Sequence, residues 1–137
     1  MMLPFGKLSL DLRRSNLTPY ILLLVAISLS VSGELLLKHG MNQVGVLSVQ
    51  PDQILRGLGR TFSQPAIWGG FVLLFSGSIF WLAVISRVDL SLAYPMLSLG
   101  YVIVVIASWV LLKENVTLVR LLGVMVICLG VVVVSRS

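Results

Sequence analysis

The residues with chemistry to offer are a stripe of hydroxyls, one carboxylate and a pair of arginines. Tyr94, Ser98 and Tyr101 lie inside the apolar run Leu90 to Leu112. At helical spacing they share one face, continued by Val105 and Ser108, while Val102, Val104, Ile106 and Val110 mostly face elsewhere. Pro95 sits at the start of this stripe and has no N–H for the carbonyl of Ser91, so the helix is loosened there. Loosened backbone and hydroxyls are tolerated at membrane depth only beside protein or water. Stripe, proline and Gly100 together fit either a packed helix interface or the wall of a path for a polar solute.

Glu34 is an acidic residue within a second apolar segment, YILLLVAISLSVSGELLL. Placing a charge there is costly, so an acid at this depth is a candidate for ligand or proton handling, with Ser30 one turn earlier as its companion. A structural role competes with that one. Lys38 follows four residues later, in the favourable order for a helical ion pair, and Glu34 is near enough to the segment's end to reach the surface. Lys38, His39 and Gly40 read as the helix C-terminus, closed by glycine.

Arg56 and Arg60 fall on one face of a segment whose other face carries Ile54, Leu55, Leu58 and Phe62. With Pro51 ahead of it, this predicts a short interfacial helix over about 51–62. Its arginines would meet lipid phosphates, either as general headgroup anchors or in recognition of a phosphate-bearing substrate.

The elements that must position these groups are membrane spans. Hydrophobic residues make up 58% of the 137 and charged residues 11%, with a mean hydropathy of +1.05, which excludes a soluble globular domain. Four spans are expected, over about 20–38, 66–86, 90–112 and 117–134, in a single domain covering 20–135. Residues 1–19, with Lys7, Arg13 and Arg14 among leucines, form an interfacial or disordered segment. A cleaved secretory signal is the weaker reading of that start, because three further spans follow.

Gly69, Gly70, Ser76, Gly77 and Ser78 give the second span small surfaces, and Trp68 and Trp81 either anchor at the interface or line a cavity. Asp89 is placed to cap the next helix. Gly123 and Gly130, seven residues apart in the last span, form a stripe suited to dimerisation.

Other functions are excluded by what the chain lacks. The net charge of +5 comes from residues dispersed through loops, which suits lipid headgroups and not nucleic acid. A single cysteine, Cys128, and a single histidine, His39, leave no internal disulfide and no metal site. No nucleophile and base pair or phosphate-cradling loop appears, so neither an enzyme nor a cofactor is expected. Lys and Arg divide evenly across the bilayer: Lys7, Arg13, Arg14, Arg87 and Arg136 against Lys38, Arg56, Arg60, Lys113 and Arg120. Such balance fits a dual-topology protein, or a subunit oriented by its partner. Four helices enclose little space, so a path for substrate calls for at least two chains.

The segment SLAYPMLSLGYVIVV, followed by LLKENVTLVRLLGVMVICLGVVVVS, resembles the small four-helix members of the drug/metabolite transporter superfamily. GVMVICLGV is similar to the dimerising last helix of the small multidrug resistance family, and AYPMLSLGY to that family's third helix, with Tyr94 at its substrate-site tyrosine. The resemblance is closer to subunits of the aminoarabinose-phosphoundecaprenol flippase, which share AYPMLSL, a KE or HE pair and a closing GV run. It is strongest from Phe80 to Ser135 and reaches weakly to SLSVSGELLLKHG.

One departure bears on mechanism. Aligned on Lys38, the essential glutamate of the multidrug exporters falls at Ser30, and their cation-stacking tryptophan falls at Leu97. The resemblance therefore implies translocation of a polyprenyl-phosphate-linked sugar or similar anionic lipid across a bacterial inner membrane, by a homodimer or a heterodimer with a related subunit. Glu34, Ser30, Tyr94, Ser98, Tyr101 and Trp81 would contact the substrate, and Arg56 and Arg60 its phosphate. The alternatives are a proton-coupled exporter of small cations and a non-transporting accessory subunit of a larger membrane complex. The expected fold is an all-α, four-span integral membrane protein with a small multidrug resistance-like bundle.

Overall fold

The computed structural model describes residues 17–136; the segment 1–16, with Lys7, Arg13 and Arg14, lies outside them. The described residues are all-helical. In chain order they form α1 (Thr18–Val44), α2 (Pro51–Phe62), α3 (Pro65–Ile85), α4 (Leu90–Leu97), α5 (Leu99–Leu111) and α6 (Leu118–Ser135). Four stretches are long and apolar enough to cross a membrane: α1, α3, α4 with α5, and α6.

The most extensive packing is between α1 and α3, and glycine makes it possible. A Cβ on Gly33 would fall 2.8 Å from the Gly70 carbonyl oxygen, and one on Gly70 would fall 2.6 Å from Leu37 Cγ. Further along, a Cβ on Gly77 would meet Ser30 Oγ at 2.7 Å, and one on Gly40 would meet Ile67 Cδ1 at 2.9 Å. Gly40 with Ile67, Gly33 with Gly70 and Ser30 with Gly77 run in opposite senses along the two chains, so the helices are antiparallel. Membrane helices gain no hydrophobic drive from lipid, and close backbone approach through small residues supplies the attraction instead.

This packing explains where α1 ends. Gly40 is not a terminator: it stays helical beneath Ile67, and the helix runs on to Val44. Gly45, with φ +87°, then closes it by donating its N–H to the Met41 carbonyl. At 27 residues α1 is about 40 Å long, more than the roughly 30 Å of hydrocarbon, so an end of it extends into the headgroup layer.

The third span is broken in one place. Pro95 leaves the Ser91 carbonyl without its helical donor, and the chain passes through a tight turn at Ser98. The Ser98 N–H reaches the Tyr94 and Pro95 carbonyls, its hydroxyl donates to the Pro95 carbonyl, and Tyr101 N–H donates to the Ser98 carbonyl at 2.9 Å. Asp89 begins this span through its backbone alone; its side chain makes no capping bond.

The apolar core is small. Leu23, Ile27 and Val31 of α1, Val84 of α3 and Ala93 of α4 form it, with Trp81, Met96, Leu97 and Val104 packed around them. α6 rests on α4 and α5, burying Val124 and Val131. Gly123 and Gly130, each one residue earlier, are exposed, and a Cβ on either would meet nothing within 4 Å.

These contacts predict opposite outcomes for one substitution. Gly33→Ala forces a methyl against backbone and lowers stability by about 1–3 kcal/mol. Gly123→Ala leaves the fold intact or strengthens it by up to about 1 kcal/mol, because alanine is the better helix former. Thermal unfolding of the two variants in one detergent checks both.

Candidate functional site

The site lies on the flank of the α1 and α3 pair, where α4 and α5 cross it. Because Gly77 has no side chain, Ser30 packs directly onto α3, and Ser78 comes up beside it. The turn at Ser98 then brings Tyr94 and Tyr101 to the same place from either side of the break. The result is a cavity of about 330 Å³ lined by Ile27, Ser30, Val31, Glu34, Leu74, Ser78, Tyr94, Leu97, Ser98, Gly100 and Tyr101. It is open on one side: Glu34, Ser78, Tyr94 and Tyr101 are all exposed at its rim.

Ser30, Glu34, Tyr94, Ser98 and Tyr101, five residues predicted from sequence, thus meet in one cavity. Trp81 does not line it. Its ring stands edge-on to Tyr94, with centroids 5.6 Å apart and planes at 82°, so Trp81 braces that tyrosine from behind. Arg56 and Arg60 are elsewhere, in a second pocket with residues of the connection after α1. The stripe also divides at the Ser98 turn. Ser108 is buried and donates its hydroxyl to the Val104 carbonyl, and Val105 borders a separate apolar pocket with Trp109.

Ser78 is the polar member of the cavity that sequence reasoning missed. Ser76, Gly77 and Ser78 read only as small residues, and which of them faces α1 depends on a register that Gly33 and Gly70 set. Leu97, at the place where the multidrug exporters use tryptophan, does line the cavity and leaves that wall aliphatic.

The charges are arranged differently from the local expectation. Lys38 pairs with Glu114, Nζ to Oε1 at 3.7 Å, and not with Glu34 one turn away. Glu114 is brought to Lys38 by a reversal after α5. Lys113 adopts φ 55°, uncommon for a residue with a side chain, and the Glu114 N–H donates to the Ser108 carbonyl. Both partners are partly exposed, at 53% and 36%, so the pair contributes under about 1 kcal/mol. Its consequence lies in what it leaves alone: Glu34 has no hydrogen bond or ion pair among the described residues. Its carboxylate is open to a cation entering the cavity, beside hydroxyls of which those of Ser78 and Ser98 donate to the Leu74 and Pro95 carbonyls and present acceptor lone pairs.

A four-span bundle with a cavity holding a carboxylate and hydroxyls against its apolar core has the build of a small membrane transporter, and comparison with known proteins agrees. Residues 22–135 match the profile of putative transmembrane family 234. The chain is 38% identical over 81 residues to the probable 4-amino-4-deoxy-L-arabinose-phosphoundecaprenol flippase subunit ArnE of Klebsiella pneumoniae (strain 342), across 58% of this chain and 72% of that one. Identity to the ArnE protein of Pseudomonas aeruginosa (strain UCBPP-PA14) is 34% over 105 residues, 74% of this chain and 91% of the relative. For Salmonella paratyphi C (strain RKS4594) it is 31% over 119 residues, 85% and 96% respectively. No solved structure matches the chain.

The chain belongs to putative transmembrane family 234 and is a small drug/metabolite transporter-like protein of the ArnE type. It is a multi-pass protein of the bacterial inner membrane, and its relatives are named as probable flippase subunits.

The cavity predicts a pattern of labelling in a Cys128→Ser background. Ser30→Cys, Ser78→Cys and Ser98→Cys react with a water-soluble thiol reagent. Val126→Cys, exposed on α6 away from the cavity, is at least about tenfold slower, because lipid suppresses the thiolate that reacts. Rates measured in native membrane vesicles check this.

Proposed function

We propose that this chain is a flippase subunit that carries a polyprenyl-phosphate-linked amino sugar across the membrane, with the headgroup passing through the cavity around Glu34. Two things support the reading: the names of its relatives, and the chemistry of the cavity wall. An amino sugar presents an ammonium group and several hydroxyls, and the cavity offers a free carboxylate flanked by Ser30, Ser78, Tyr94, Ser98 and Tyr101. The observation that carries the proposal is that Glu34 has no counter-ion among the described residues, since Lys38 is held by Glu114.

Recognition is dominated by that carboxylate. A hydrogen bond to a charged group contributes about 1.5–3 kcal/mol and a neutral one about 0.5–1.5 kcal/mol. The hydroxyls therefore orient the sugar while Glu34 holds it, and Trp81 keeps Tyr94 in place. The cavity's open side lets the prenyl tail stay in lipid while the headgroup crosses, so the protein need not enclose the whole molecule. The partner subunit, a second copy or a related chain, docks on the exposed Gly123 and Gly130 face of α6, where small residues admit a close helix.

A small-cation exporter is the second reading, and the same free carboxylate favours it. The two separate on substrate. In proteoliposomes, Glu34→Gln slows translocation of the lipid-linked amino sugar by about tenfold or more, while Tyr94→Phe and Ser98→Ala slow it by about two- to tenfold. Leaflet-selective chemical modification of the sugar amine gives the rates. Proton-driven uptake of a lipophilic cation, abolished by Glu34→Gln, would select the exporter instead.

A further inference from the structure

We infer that Ser48, Gln53, Arg56 and Arg60 form a binding site for the phosphate of a membrane lipid, separate from the central cavity. The inference extends the proposed function by giving the carrier's phosphate its own place. It rests on that reading only in taking the ligand from the bilayer.

The site is built on a helix fastened at its C-terminal end. Thr61 of α2 is buried against Met41 and donates its hydroxyl to the Gly57 carbonyl at 2.9 Å. At the helix end, Trp68 Nε1 donates to the Phe62 carbonyl at 2.8 Å, and the Phe62 ring packs against Trp68 and Phe71. On the other side Gly57 lets the connection after α1 lie close, since a Cβ there would fall 2.8 Å from Leu47 Cδ2. Between connection and helix is a pocket of about 280 Å³ that both arginines line.

Its chemistry is that of an anion site with no carboxylate paired to it among the described residues. Arg56 and Arg60 are one helical turn apart, and neither guanidinium has an ion pair or hydrogen bond among the described residues. Asp52 stands four residues before Arg56, at the right spacing for a helical pair, and does not take it. Like charges one turn apart repel, and an anion held between them removes that cost. Two planar guanidinium forks match phosphate oxygens in geometry as well as charge. Gln53 adds amide donors. Ser48 Oγ accepts from the Gln50 N–H, which leaves its own O–H free to donate.

Placement selects a lipid phosphate. Leu55, Leu58 and Phe62 of α2 are exposed apolar residues on the face away from the arginines, which sets the helix in the interface with its cations at phosphate depth. The pocket shares no residue with the central cavity. Along the unbroken α1, Val44 in this pocket lies ten residues beyond Glu34, a rise of about 15 Å. A single sugar ring with its phosphate does not span that distance, so phosphate and cavity are successive stations for one headgroup.

The test uses the purified full-length protein, delipidated and titrated by native mass spectrometry with undecaprenyl phosphate lacking sugar, phosphatidylglycerol or diacylglycerol. The phosphate lipids bind at least about tenfold more tightly than diacylglycerol, and the double variant Arg56→Gln/Arg60→Gln removes that difference. Arg56→Lys/Arg60→Lys restores part of it, and Glu34→Gln leaves it unchanged. Preference for undecaprenyl phosphate identifies the carrier as the source, and equal binding identifies bulk phospholipid; either supports a phosphate site. Binding unaltered in the double glutamine variant overturns the inference, as does an equal loss in Arg120→Gln, whose arginine lies outside the pocket. Thermal unfolding of the double variant excludes loss of fold as the cause. Because the ligands carry no sugar, failure here leaves the role of Glu34 in sugar translocation standing.

Discussion

Everything in this small bundle depends on how closely α1 and α3 approach. In hydrocarbon, water does not drive helices together, and a chain of this size has few side chains with which to build a core. Gly33, Gly40, Gly70 and Gly77 answer that constraint by removing side chains along one seam, so that backbone packs on backbone and on Leu37, Ile67 and Ser30. The register that results decides which polar groups face one another. Ser30 lies against Gly77, Ser78 follows on the next residue of α3, and both open toward α4 and α5. The polar cavity is thus the far side of an interface made of glycine.

The second constraint is charge. A carboxylate at Glu34 is costly in the bilayer, and the neighbouring Lys38 would relieve that cost if it turned back along the helix. Instead the reversal at Lys113 delivers Glu114 to Lys38. Because that surface pair is worth little as stability, its effect is better understood as keeping the lysine away from the cavity. Among the described residues Glu34 is then left without a partner in the cavity, and Arg56 and Arg60 without one in a separate pocket. A zwitterionic headgroup too short to span the two places would meet them in turn, its phosphate at the arginines and its ammonium at Glu34.

Much of this was legible in the sequence, and the failures have physical causes. The four spans follow from unbroken apolar runs, and Pro95 announces the break near Ser98 because a missing N–H acts on its own helix. Properties that depend on another element were not readable. Gly40 reads as a helix end from its neighbours, but Ile67 packing on it makes it an interface residue. Lys38 has Glu34 as its local partner, and only the fold brings Glu114 close. Trp81 and Ser78 exchange expected roles, one bracing and one lining, because the rotation of α3 is set by Gly33. Arg56 and Arg60 were visible as one face of an amphipathic helix, whereas their separation from Glu34 follows from α1 running on to Val44.

The most direct measurement of the central claim compares binding of two ligands: the polyprenyl-phosphate-linked amino sugar and its N-acylated analogue, which keeps every hydroxyl and the phosphate but loses the cationic amine. If Glu34 is the cavity's receptor for that amine, the wild-type protein binds the amino sugar about tenfold or more tightly than the analogue, and Glu34→Gln binds the two alike. Equal affinity of the wild-type protein for both ligands would contradict the account.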